Sequence, residues 1–190
     1  MTLTSEEKKI LLVAARNSIA SLYEKVIIEK PDYEKFSVLK SYSGAFVTLT
    51  KHKQLRGCIG YIIGNQPVFD TVCEAAVQAA KSDPRFSHVS KDELKDISIE
   101  ISILSEPFFL GSYDEIELGK HGLILEEKGK RGLLLPQVPI EHNMNKEDYL
   151  DAICQKSGFN KSYWREKELK LKAFTATVFS EEDLENENCS

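Results

Sequence analysis

The chain has 190 residues, 42% apolar and 29% charged, the profile of a folded globular chain rather than a disordered one. No apolar run approaches the ~18–20 residues of a membrane span. The N-terminus lacks a basic stretch followed by an apolar one, so a cytoplasmic chain with no membrane partner is expected. Lysine and arginine number 25 against 30 acids, a net charge of −5. The excess sits at the C-terminus, where Glu181, Glu182, Asp183, Glu185 and Glu187 stand without a base. A neutral body with an acidic tag predicts no general nucleic-acid binding, and a tail that is dispensable for folding from about Glu181.

Thr4 and Glu7 have capping-box spacing and open a helix over residues 5–25, with Leu11, Ala15, Ser18 and Leu22 on one face. Residues 44–50 and 55–63 read as a hairpin around the polar connection Lys51-His-Lys-Gln54. Pro67 then opens a helix to about Lys81, striped by Val68, Val72, Ala76 and Ala79. It ends at Ser82-Asp-Pro-Arg-Phe86, because the residue before a proline is pushed out of helical geometry. Ser90 and Glu93 repeat the capping-box spacing. Ile97, Ile99, Ile101 and Ile103 alternate with Ser98, Glu100 and Ser102 in a strand with one buried face. Beyond Pro107 come a short helix at 112–117, strands at 121–126 and 132–135 around a 128–132 turn, a helix from Asn145 to about Gly158, and a final strand at 169–179. Hairpins with helices between them predict an α+β fold with antiparallel sheets flanked by helices.

Cys58, Cys73, Cys154 and Cys189 form no Cys-x-x-Cys pair, and the histidines and acids show no metal-ligand spacing. Phosphate-cradling glycine loops and the Gly-x-Ser-x-Gly elbow are absent. Neither a metal nor a cofactor is expected. In the 55–63 strand, Leu55, Ile59, Tyr61 and Ile63 make the natural core face, which leaves Arg56 and Cys58 together on the other. Glu100 points away from its isoleucine face, so an Arg56–Glu100 pair is predicted. Two readings stay open at Cys58. It is a small apolar filler beside a structural Arg56, or a thiolate nucleophile that needs a histidine nearby. The basic stretch 161–172, interrupted by Glu166 and Glu168, reads as a solvated face.

Six blocks carry a resemblance: Gly44-Ala-Phe-Val-Thr-Leu, Leu55-Arg-Gly-Cys-Ile-Gly60, Asp83-Pro-Arg-Phe86, Ile99-Glu-Ile-Ser-Ile-Leu104, Gly119-Lys-His-Gly122 and Gly132-Leu-Leu-Leu-Pro-Gln137. Through them, and on to Tyr163-Trp164 and the last strand, the chain resembles the AMMECR family, whose signature is the Leu-Arg-Gly-Cys-Ile-Gly block. The resemblance implies a single domain of two subdomains, each with its own antiparallel sheet. The larger would comprise about residues 1–108 and 167–190, the smaller about 109–166, with the signature facing a cleft between them. It implies no defined reaction. It does suggest an AmmeMemoRadiSam set, in which such a protein works with a Memo-like dioxygenase relative and a radical-SAM protein.

The leading expectation is a protein that binds a sizeable substrate, a protein or modified macromolecule, in a cleft lined by Arg56, Cys58, Glu100, His121, Gln137 and Glu141. Its rival is a thiol-dependent enzyme in which Cys58 attacks and His121 or His88 is the base. A third reading is a non-catalytic interaction scaffold.

Overall fold

The computed structural model describes residues 2–183. In chain order the elements are α1 (Ser5–Ala20), β1 (Ala45–Lys51), β2 (Gln54–Tyr61), α2 (Val68–Lys81), β3 (Ile97–Leu104), β4 (Phe108–Phe109), β5 (Gly122–Glu127), β6 (Lys130–Leu134), α3 (Val138–Glu141), α4 (Lys146–Lys156), α5 (Tyr163–Glu166), β7 (Lys172–Phe174) and β8 (Ala176–Ser180). They form two four-stranded antiparallel sheets, ordered β2-β1-β3-β8 and β4-β7-β5-β6, with helices against each. The fold is α+β.

The chain divides into two compact units, Met1–Leu104 with Thr177–Ser190, and Ser105–Ala176. In the first, Thr4 and Glu7 close the capping box of α1. That helix stops at Ser21, short of residue 25, where the Ser21 N–H reaches Asn17 O and its hydroxyl reaches Ser18 O. Leu11, Ala15 and Ile19 of α1 and Val72, Ala76 and Ala79 of α2 join Val47, Leu49, Ile99 and Ile101 in one core. The second unit packs Leu123, Leu125, Tyr149, Ile153, Cys154 and Leu171 together. Its helix α4 has an Asn145–Asp148 capping box, and Gly158 just beyond it takes φ +76°.

Both hairpin turns are two residues long and left-handed: His52 and Lys53 at φ 51° and 62°, Lys128 and Gly129 at 50° and 74°. Positive φ at both positions matches the right-handed twist of the paired strands. The second turn is tighter than the expected 128–132, so Lys130 and Arg131 belong to β6.

Three differences from the sequence reading bear on function. First, Leu49 faces Gly57 but Thr50 faces Leu55, so Arg56 is an extra, bulged residue. A bulge breaks the two-residue alternation. Leu55, expected in the core, is 43% exposed, while Ile59 and Tyr61 do pack on the core. Ile63 lies past the strand and is also exposed. Second, the expected strand 169–179 splits at Thr175, whose N–H donates to Ser105 Oγ at 2.9 Å and whose carbonyl accepts from Ser105 N–H at 2.8 Å. Its first part, β7, pairs with β4 and β5, so residues 167–176 fall in the second unit rather than the first. Third, the tail does not begin to be free at Glu181. That carboxylate pairs with Arg16 and accepts the Ile99 N–H at 2.9 Å, and Asp183 caps the Ser180 N–H at 2.7 Å. Glu185, Glu187 and Cys189 lie outside the described residues.

Candidate functional site

Strand β2 is an edge strand, and the site is built where α2 hands the chain back to it. Pro84 stops α2 at Ser82. The next side chain, Asp83, turns inward and is 5% exposed. Its Oδ2 accepts the backbone N–H of Cys58 at 2.9 Å, so a carboxylate occupies the place of a neighbouring strand's carbonyl. Arg85 closes on the same carboxylate, Nε to Oδ1 at 2.9 Å and Nη2 to Oδ2 at 2.7 Å, and its backbone N–H adds a bond at 3.1 Å. These bonds, Arg85 first and the Cys58 N–H after it, hold Asp83 far below the usual carboxylate range against the opposing effect of burial.

A second carboxylate holds the signature two residues earlier, at Arg56. Glu93 sits at the third position of the short turn Lys91–Lys95, where its capping box with Ser90 aims it back at β2. Arg56 donates Nε to Glu93 Oε1 at 3.0 Å and Nη2 to Oε2 at 3.1 Å, with further bonds to the carbonyls of Ser87 at 2.8 Å and His88 at 3.1 Å. Lys51 Nζ and the Ser90 N–H reach the same carboxylate. Arg56 above all holds Glu93 well below its ordinary range.

The predicted Arg56–Glu100 pair is therefore not formed. The bulge sends the guanidinium to the end of the sheet, to the 87–93 segment. Glu100 sits opposite Thr48, which sits opposite Cys58, so β1 lies between the acid and the signature strand. Two strand spacings, roughly 10 Å, separate the Glu100 row position from β2, and Nε, Nη1 and Nη2 of Arg56 already donate to Glu93 and to the Ser87 and His88 carbonyls. What the register does bring together is the row Cys58–Thr48–Glu100, on the face opposite the helices. In it the Thr48 hydroxyl donates to Cys58 Sγ at 3.3 Å.

Of the six residues expected to share a site, Arg56, Cys58 and Glu100 thus belong to the first unit. His121, Gln137 and Glu141 belong to the second. His121 is buried, and its Nδ1 accepts the Glu117 N–H at 3.2 Å. Gln137, half-buried, heads α3, and its carbonyl accepts from the Ile140 and Glu141 N–H groups; Glu141 is exposed at the end of that helix. His88 is exposed and contributes its carbonyl to Arg56. Thr48, Asp83, Arg85 and Glu93 escaped the sequence reading of the site. The signals were present: an acid two residues before an arginine across a proline, and a capping-box glutamate beside the signature.

In the 161–172 stretch three of the five cations are in ion pairs, Arg165 with Glu147 and Asp151, Lys167 with Glu127, and Lys172 with Glu126. Among the described residues no group of three or more His, Cys, Asp or Glu side chains is placed to hold a metal ion, and no helix is long and apolar enough to cross a membrane.

Two α+β sheet units, one carrying a Leu-Arg-Gly-Cys-Ile-Gly edge strand held by two carboxylates, define the class. The chain belongs to the AMMECR1 family, which it matches over residues 12–179. It is similar to a Methanosarcina mazei protein, 35% identical across 97% of this chain and 96% of that one. A Methanopyrus kandleri protein is 37% identical across 96% and 92%. The crystal structure of an uncharacterized protein from Pyrococcus horikoshii superposes with a TM-score of 0.82 at 32% identity, covering 95% of this chain and 94% of that one.

Proposed function

We propose that the chain is a binding protein that recognises a sizeable substrate or partner through its signature strand, within a set that includes a Memo-like dioxygenase relative and a radical-SAM protein. One observation favours binding over thiol catalysis: the two guanidinium groups beside the signature are already neutralised by carboxylates of their own, Arg56 by Glu93 and Arg85 by Asp83. A nucleophilic thiol needs uncompensated positive charge or an adjacent base. The group that meets Cys58 Sγ is the Thr48 hydroxyl, a donor. The same carboxylates hold the strand at Arg56 and at Cys58, and a recognition surface gains from such pre-organisation. His121, Gln137 and Glu141 are proposed as ligand contacts on the second unit.

The test is affinity capture of the full chain from cells co-expressing the Memo-like and radical-SAM proteins. Cys58→Ser, which keeps shape and polarity, is expected to retain whatever the native chain captures, whereas Thr48→Trp, which fills the row, is expected to release it. Capture that survives Cys58→Ser while product formation stops would transfer the function to a thiol enzyme.

A further inference from the structure

We infer that His121 is a ligand-facing hydrogen-bond donor, a neutral imidazole whose Nε2–H recognises a carbonyl oxygen. The inference deepens the binding reading above, on which its ligand part rests. His121 follows the turn through Gly119, which takes φ +81°. Two reciprocal bonds close that turn: His121 N–H to Glu117 O at 2.9 Å, and Glu117 N–H to His121 Nδ1 at 3.2 Å. An amide N–H can only donate, so Nδ1 must present its lone pair. A neutral imidazole carries one donor and one acceptor, and its proton is thereby assigned to Nε2.

The surroundings hold the ring in place. The Tyr149 hydroxyl donates to the His121 carbonyl at 3.1 Å, and the Phe108 ring meets the imidazole edge-to-face at 5.6 Å. The residue is only 7% exposed. Among the described residues the ring bond of His121 is the one at Nδ1, and none is made at Nε2. Among the described residues the buried side-chain polar atom without a partner is the Tyr33 hydroxyl, so Nε2 reaches the surface. A nearly buried histidine with one nitrogen locked and the other facing out is a fixed donor awaiting an acceptor.

Local charge selects the acceptor. Lys120, the adjacent cation, places its ammonium on both oxygens of Glu117, at 2.8 and 2.9 Å. The charge of Lys120 is thereby compensated, and Phe108, 42% exposed, offers an apolar flank. A neutral amide-type carbonyl fits this setting. Because Nε2 already carries its proton, it cannot take one from a thiol, which removes His121 as the base of the rival mechanism.

Long-range ¹H–¹⁵N spectra of the full chain at about pH 8, above the histidine range, test the tautomer directly. A protonated Nε2 and a bare Nδ1 are expected at His121, and the reverse assignment overturns the inference whatever the chain binds. Titration with N-methylacetamide, a minimal peptide carbonyl, is expected to move the His121 Nε2–H resonance saturably and beyond those of the exposed His52, His88 and His142. No movement, or movement equal to theirs, overturns the carbonyl assignment. In the capture experiment His121→Gln, which can place an N–H at the same point, is expected to keep binding where His121→Leu loses it. Equal behaviour of the two variants at matched thermal midpoints overturns the donor role. Failure of the unaltered chain to capture any partner overturns the proposed function and leaves the tautomer result standing.

Discussion

Arg56 and Glu93 meet in a two-point contact, Nε to Oε1 at 3.0 Å and Nη2 to Oε2 at 3.1 Å, with their side chains only 13% and 19% exposed. The bulge that puts Arg56 out of register makes this contact possible, because it aims the guanidinium off the end of the sheet. Hydrogen bonds from Lys51 and from the Ser90 N–H complete the carboxylate's shell.

Removing either partner strands a mostly buried charge. Arg56→Met and Glu93→Gln are each expected to cost about 2–4 kcal/mol in urea unfolding. The double variant should cost at least about 1 kcal/mol less than the sum. Arg56→Met combined with Glu100→Gln should simply add. Additivity for Arg56 with Glu93, or coupling with Glu100, would reverse the assignment.

Asp83 and Glu93 give the stability a defined pH dependence. Both have folded-state pKa values depressed below their unfolded ones, Asp83 chiefly by Arg85 and Glu93 chiefly by Arg56. Their contribution is therefore complete above the unfolded carboxylate range, about pH 4, and is withdrawn as pH falls below it. Asp83→Asn should lower the thermal midpoint at neutral pH by several degrees, equivalent to ~1–3 kcal/mol. The gap to the native protein should then narrow steadily from about pH 4 downward. A gap independent of pH would show that the charge on Asp83 contributes nothing.

Gly57 permits the contact of β2 with α2. A Cβ there would lie 2.3 Å from the carbonyl oxygen of Ala79, a backbone atom that cannot swing aside. Gly57→Ala should cost about 3 kcal/mol through overpacking and should disturb the Cys58 and Asp83 amide resonances. By contrast Gly129→Ala, where a Cβ meets nothing within 4 Å, should pay only for its positive φ of 74°, about 1 kcal/mol.

Glu181 ties the end of β8 to the rest of the first unit. Arg16 donates to it and also to the carbonyls of Leu94 at 2.6 Å and Ile97 at 2.8 Å. Glu181→Ala should lower stability by about 1–3 kcal/mol, because it leaves the Arg16 guanidinium and the Ile99 N–H without their carboxylate. Truncation after Ser180 should match or exceed that loss. An unchanged midpoint in both would restore the view of a dispensable tail.

Local chemistry was legible along the chain. The isoleucine alternation at 97–103 set a strand with one buried face. Capping-box spacing at Thr4–Glu7 and Ser90–Glu93, with Asn145 as a cap residue, located three turn or helix starts, and Pro67 and Pro84 bounded α2. These are properties of neighbouring residues, since periodicity and caps depend on the backbone within a turn or two. The signature block and its companions likewise pointed to the family. The tertiary structure alone decided which acid Arg56 takes, that Asp83 caps the Cys58 N–H, and that 169–179 divides between two sheets. A long guanidinium can reach several acids, and its choice follows from which segment the topology carries to the end of the sheet. One bulged residue, invisible in an alternating pattern, was enough to turn Arg56 away from Glu100 and toward Glu93.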